Sequence, residues 1–202
     1  MIDYFFTIGT SGTGLYKEKG SKFLAFAFPV NSIEQVNNRL DELRKKYHDA
    51  RHHCYAYILG EDGLQMRAND DGEPNHSAGD PILGQLKSAN LTNTLVVVVR
   101  YFGGTKLGVS GLITAYKTAA EEALNSSKKI KQLIYVPIHL SYGYGSTNEV
   151  MKLIDRYHLK IIHQEFLDRC TLQASIIISK NEAILKDLQL LKDTGYDIHL
   201  VK

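Results

Sequence analysis

Leu95-Val96-Val97-Val98-Val99-Arg100-Tyr101-Phe102-Gly103-Gly104-Thr105-Lys106-Leu107-Gly108-Val109-Ser110-Gly111 is the stretch that decides the fold of the first half of this chain. Five apolar residues in succession are greasy on both faces, the mark of a strand buried in the middle of a sheet. Paired glycines then turn the chain out of the strand. Leu112, Ala115, Tyr116, Ala119 and Ala123 follow at helical steps, a small-residue stripe that lets a helix approach the sheet closely. Working outward, Tyr4 to Ile8, Leu15 to Lys17 and Lys22 to Phe28 read as strands, with Gly9, Gly12, Gly14 and Gly20 in the turns. Ser32 and Gln35 have capping-box spacing, and Ile33, Val36, Leu40, Leu43 and Tyr47 give the helix behind them its apolar face. Cys54, Ala56 and Ile58 alternate with Tyr55, Tyr57 and Leu59 as a strand does.

The second half has another rhythm. Leu133 to Tyr142 reads as a strand, and Ser146 with Glu149 as a second capping box before Val150, Ile154 and Tyr157. Leu159 to Phe166 and Leu172 to Ile178 are strands. Ser179 with Glu182 is a third box before Ile184, Leu188 and Leu191, Gly195 suits the helix stop, and Asp197 to Val201 closes the unit. The order βαββαβ predicts a ferredoxin-like domain. The fold class is therefore α+β with two domains, 1–131 and 132–202, the boundary falling in Asn125-Ser126-Ser127-Lys128-Lys129 or just after it.

Composition narrows the function classes. With 202 residues, 44% hydrophobic and 23% charged, the chain is an ordinary globular one. A net charge of +2 excludes a broadly basic nucleic-acid binder, and residues 1–131 hold 16 of the 24 basic and 14 of the 22 acidic side chains, so any anion site must be local. The longest apolar run, Phe23 to Val30, is far short of the roughly 20 residues that cross a bilayer. No membrane partner is expected, and the start of the chain has no basic leader, so a cytoplasmic location is expected. Cys54 and Cys170 lie in separate strands and read as free thiols.

Three constellations can carry chemistry. The loop from Arg100 to Gly111 leads from a strand into a helix, where backbone N–H groups, with Arg100 or Lys106 alongside, can hold an anion. Its spacing is not that of a Walker loop, and Ser110 does not complete a GxSxG elbow. Asp70-Asp71-Gly72-Glu73-Pro74 packs three carboxylates around a turn that can hold Mg²⁺ or accept hydrogen bonds from Arg100 and Lys106. Opposite charge on the two turns predicts that they lie side by side. His48 and His52, four apart, lack the further ligands of a closed zinc site, and no bound metal is expected.

Five motifs together resemble the YigZ/IMPACT family: Gly20-Ser21-Lys22-Phe23, Ala50-Arg51-His52-His53-Cys54-Tyr55-Ala56-Tyr57, Asp70-Asp71-Gly72-Glu73-Pro74, Ala78-Gly79-Asp80-Pro81-Ile82-Leu83 and Arg100-Tyr101-Phe102-Gly103-Gly104-Thr105-Lys106-Leu107-Gly108. The resemblance implies an N-terminal ribosomal protein S5 domain 2-like fold and a C-terminal domain similar to the fifth domain of elongation factor G. Both folds recur in proteins that touch ribosomal RNA. Eukaryotic relatives are linked to control of translation initiation during amino-acid starvation, through competition for a ribosome-associated activator of an initiation-factor kinase, and they place a protein-interaction domain ahead of the shared region. Asn75-His76-Ser77 departs from the Ser-Gly-Thr often found after the Glu-Pro of this family, which leaves the role of His76 open.

The leading expectation is a factor associated with RNA or the ribosome, with Arg100, Gly103, Gly104, Lys106 and Gly108 as its anion-contacting edge and no cofactor. Its rival is an Mg²⁺-dependent enzyme acting on a nucleotide or phosphorylated metabolite, with Asp70, Asp71 and Glu73 on the metal and the glycine loop on the phosphate; His52 and His76 are accessory candidates at the site. A protein-docking module formed by the same loops is the third. No residue is assigned a catalytic role.

Overall fold

The computed structural model describes residues 2–201, which gather into two compact units. Phe5–Gln132 form one, and the chain from Leu133 onward, joined by the residues up to Tyr4, forms the other. The linear division at 131 and 132 makes no provision for that N-terminal segment.

In the first unit a five-stranded antiparallel sheet has the order β2-β3-β6-β4-β5, built from β2 (Gly12–Glu18), β3 (Ser21–Pro29), β4 (His52–Leu59), β5 (Gln65–Asn69) and β6 (Thr94–Tyr101). The valine run is the central strand, and its alternation divides the core in two. Val96 and Val98 join Ala25, Ala27, Cys54 and Ala56 beneath α2 (Gly79–Ser88) and α3 (Gly108–Asn125). Leu95 and Val97 join Tyr55, Tyr57 and Leu59 beneath α1 (Ile33–Lys46), which contributes Val36, Leu40 and Leu43. A strand sandwiched between helix layers has no solvent face, hence its unbroken apolar sequence. A separate two-stranded ladder pairs β1 (Tyr4–Ile8) with β7 (Lys129–Leu133).

The second unit is the expected βαββαβ chain of β8 (Tyr135–Tyr142), α4 (Thr147–Tyr157), β9 (Lys160–Phe166), β10 (Cys170–Ile177), α5 (Asn181–Asp193) and β11 (Ile198–Leu200). Its antiparallel sheet has the order β11-β8-β10-β9. Ile138, Leu140, Leu172, Ala174 and Ile176 bury one sheet face against Val150, Leu153 and Ile154 of α4 and Ile184 and Leu188 of α5. Asp187 of α5 ties the helices together, accepting from Arg156 Nη1 at 2.7 Å and from the Tyr157 hydroxyl at 2.8 Å.

Local signals succeed or fail for identifiable reasons. Ser32 Oγ accepts from Gln35 N at 3.3 Å, while the Gln35 side chain reaches back to Asn31 N. At Gly195, φ is +93°, and Gly195 N and Tyr196 N donate to Lys192 O and Leu191 O, closing α5 in a Schellman turn. The other two capping boxes do not form. Short 3₁₀ turns, Tyr144–Ser146 and Ile178–Lys180, run straight into α4 and α5, so Ser146 has φ −96° and ψ 0° instead of the extended backbone a capping serine needs. Gly12 and Gly14 also lie inside β2, not in turns. A Cβ on Gly14 would come within 2.7 Å of Ala119 O and Ala123 N, so these glycines let β2 rest directly on the backbone of α3.

That contact makes Gly14→Ala a sharp test. Overpacking against backbone, which cannot rotate away, should destabilise the protein by about 1–3 kcal/mol, read as a fall in the urea midpoint. Gly84→Ala has open space and should lose none by this mechanism.

Candidate functional site

The acidic turn is built before it is charged. Glu73 N donates to Asp70 O at 2.9 Å, and Asp71 (φ +43°) and Gly72 (φ +85°) occupy the left-handed region as a tight turn of the I′ kind requires. Each carboxylate then takes a different protein partner. Asp70 Oδ1 accepts from Ala78 N and Gly79 N at 2.9 and 2.8 Å and Oδ2 from His76 N at 2.9 Å, so it caps α2, whose own N-cap Ala78 offers no side chain. Burial pushes the Asp70 carboxyl upward, but the N–H bonds from Gly79, His76 and Ala78 outweigh it and hold the group below its ordinary range. Asp71 Oδ2 accepts from His53 N at 2.6 Å on β4.

Glu73 turns inward. Its Oε1 accepts from Arg100 Nη1 at 2.6 Å and from the Tyr116 hydroxyl at 2.7 Å, and the Cys54 thiol donates to that hydroxyl at 3.3 Å. Glu73 and Arg100 side chains are only 4% and 8% exposed. Arg100 lies opposite Phe23 and His52 in the sheet, with its guanidinium 5.4 Å from the Phe23 ring centre and 5.7 Å from that of Phe102. Burial raises the Cys54 thiol and the Tyr116 hydroxyl far above their ordinary pKa values, so both stay protonated and donate.

Two expectations change as a result. The acidic turn and the strand carrying the glycine loop do meet, but Arg100 is not part of an anion-contacting edge: its charge is answered by Glu73 inside the protein. The three carboxylates also diverge toward separate donors, and among the described residues no group of three or more His, Cys, Asp or Glu side chains converges as metal ligands. His48 lies beyond the end of α1 and His52 starts β4, so the pair does not share a helix face. His52 Nδ1 is instead 2.8 Å from Asp71 O, bracing the turn. His53 is buried, and that burial lowers its pKa and keeps it neutral.

The glycine loop itself is exposed. Gly103 is fixed by contact, since a Cβ there would stand 1.9 Å from Gly20 C, and its N–H donates to Ser21 Oγ at 3.1 Å. Gly104 and Gly108 are fixed by conformation, at φ +88° and +73° with open space around them. Lys106 is exposed, with no hydrogen bond or ion pair to it among the described residues. Beside it, Tyr16, Glu18 and Lys19 face Leu107 and, from α3, Ser110 and Thr114 across a cleft of about 250 Å³. Glu18 puts a carboxylate in that cleft, which opposes a phosphate bound at the start of α3. Sequence reasoning assigned Tyr116 and Cys54 to packing. Only the register that places Cys54, Arg100 and Tyr116 on one side of the sheet shows them to be the floor of the acidic turn.

His76 is the strained member. Its φ is +64°, its ring is 81% exposed, and its Nδ1 stands 2.6 Å from Asp80 Oδ2. The Ser-Gly-Thr pattern that the family resemblance implies would put glycine at this left-handed position, where no Cβ penalty arises.

Two outcomes follow from this geometry. Glu73→Gln and Arg100→Met should each lose about 3–5 kcal/mol by leaving a buried charge unpaired, whereas the double variant should lose less than their sum, as a double-mutant cycle in urea would show. His76→Gly should gain about 1 kcal/mol in the same assay by releasing the left-handed strain, net of the exposed His76–Asp80 pair.

The Impact N-terminal domain model matches residues 19–124, a span that holds the acidic turn and the glycine loop and leaves out Tyr16 and Glu18 of the cleft. The chain is similar to the IMPACT family member YvyE of Bacillus subtilis, 33% identical over 165 residues that cover 81% of this chain and 76% of the relative. It is also similar to the IMPACT family member in the pol 5′ region of Thermus thermophilus, 39% identical over 140 residues, 69% of this chain and 75% of that one. A solved structure described as that of a hypothetical protein superimposes with a TM-score of 0.71 at 25% identity, covering 100% of this chain and 99% of the other. With the family model matched over residues 19–124 and relatives of this identity covered over most of their length, this chain belongs to the IMPACT family.

Proposed function

We propose that this protein is an RNA- or ribosome-associated factor that regulates translation. The observation that carries the reading is the exposed loop from Phe102 to Gly108, seated backbone to backbone on the turn of the β2–β3 hairpin, with Lys106 and Lys19 free of carboxylate partners among the described residues. Loops held rigidly by a sheet are where binding residues concentrate. Unpaired ammonium groups on such loops recognise phosphate charge without reading base identity. Family membership supports the link to translation, which the resemblance implies for eukaryotic members.

The enzyme reading has less support from the geometry. Asp70, Asp71 and Glu73 would have to release the N–H, guanidinium and hydroxyl donors they now accept from before they could hold Mg²⁺. A docking role for the same loops has no specific contact to favour it.

Sedimentation tests the reading. The protein should pellet with ribosomes at low salt and be released by ribonuclease or by raised salt, because counterion release weakens phosphate contacts. Lys106→Ala should flatten the dependence of log K on log salt by about 0.7, one contact on a single strand. Failure to co-sediment at any salt would remove the ribosome from the reading.

A further inference from the structure

The β2–β3 hairpin contains two choices that oppose its own stability. Its two-residue turn is Lys19-Gly20, with φ +46° and +80°, and turns of this kind prefer asparagine or glycine at the first place because a Cβ is unwelcome there. Behind the turn, Lys17 and Lys22 are direct cross-strand partners, both exposed, with no ion pair to either among the described residues. Like charges opposite one another, with Cβ atoms about 4.5–5.5 Å apart, are destabilising. Both choices add positive charge at one corner of the sheet.

The register extends that corner. Lys22 is in turn partnered by Tyr101, so Lys17, Lys22 and Tyr101 form one row across β2, β3 and β6 on the face that α1 covers elsewhere. The α1 core does not reach this row: it ends on Phe26, Phe28 and Tyr47. The last turn of α1 carries Arg44, Lys45 and Lys46, of which Arg44 pairs with Asp41 at 3.8 Å, and the Tyr101 hydroxyl donates to Asp49 at 2.7 Å. Phe102, the next residue after Tyr101, is 53% exposed.

Resting on the RNA reading above, we infer that this corner is the contact surface and that its ligand is single-stranded RNA. The opposed lysines take backbone phosphate, and the negative charge relieves the repulsion between them. Phe102 follows at the end of β6 with its ring turned to the Arg100 side of the sheet and still half exposed, so a strand that passes from the lysine row over the end of β6 can lay an unstacked base on it, which an acidic protein segment would not use.

The test is fluorescence anisotropy with a short labelled oligouridine over a range of salt, comparing the wild type with Lys17→Gln/Lys22→Gln, Phe102→Ala and the charge-matched control Lys87→Gln/Lys117→Gln. The hairpin double variant should bind at least tenfold more weakly, with a salt slope flatter by about 0.7 to 1.4, one to two phosphates, while the control stays near wild type. Phe102→Ala should weaken binding and leave the slope unchanged. The melting temperature of the hairpin variant should equal or exceed that of the wild type, which excludes unfolding as the cause. The inference is overturned if the hairpin variant binds like the control, if the wild type binds no oligouridine at low salt, or if it prefers a labelled oligoglutamate. Wild-type ribosome sedimentation with an unaffected hairpin variant would remove the corner and leave the functional reading standing. Oligouridine binding through the corner without sedimentation would do the reverse.

Discussion

Glu73 and Arg100 meet at 2.6 Å with their side chains almost wholly buried, and the arrangement of both loops depends on keeping them together. Two such ions are expensive to bury, and their mutual attraction rarely exceeds that penalty by much. What the pair supplies is position. Glu73 lies at the end of the acidic turn and Arg100 near the end of the central strand, so neither segment can shift without stranding a charge. Tyr116 adds α3 to the same carboxylate, and Cys54 adds β4 through Tyr116. Four separate segments are therefore referred to one oxygen atom, Glu73 Oε1, or to a group bonded to it.

Close backbone approach fixes the rest. Gly103 and Gly20 touch where any side chain would collide, and Gly12 and Gly14 do the same for β2 against α3. Contacts of this kind are unforgiving because a carbonyl or an amide cannot change rotamer. They hold the glycine loop in place with few hydrogen bonds, and they explain how an exposed loop can keep a defined shape while its lysine stays free.

The helices and strands with strong periodicity were legible: the valine run, α1, α3 and the whole βαββαβ unit. β5 was not, because Gln65, Met66 and Arg67 are exposed on an edge strand and show no alternation. α2 was hidden by its opening Gly79-Asp80-Pro81, which reads as a turn. Proline is tolerated in a first helical turn, where its missing N–H has no partner to lose, and the cap comes from Asp70, eight positions before Ala78. The site was legible as a set of motifs and illegible as an arrangement. Arg100 looked like an anion ligand because sequence shows charge and not burial, and the lysines at positions 17 and 22 looked unremarkable because their opposition exists only in the register of the hairpin.

Net charge conceals how differently the two signs are used. The conspicuous acids of the first unit, Asp70, Asp71 and Glu73, are consumed by backbone N–H groups, an arginine and a tyrosine, so their field is largely cancelled within the fold. The hairpin lysines have no such partners among the described residues, and Glu18 and Asp49 are themselves bonded to tyrosine hydroxyls. A chain of net charge +2 can therefore present a positive corner without a positive domain. With a screening length of about 10 Å at 0.1 M salt, the corner acts only at contact and steers nothing from a distance. On the proposed reading, folding and anion contact rest on different residues, so changes in the acidic turn are expected to act on stability first and changes in the hairpin on binding.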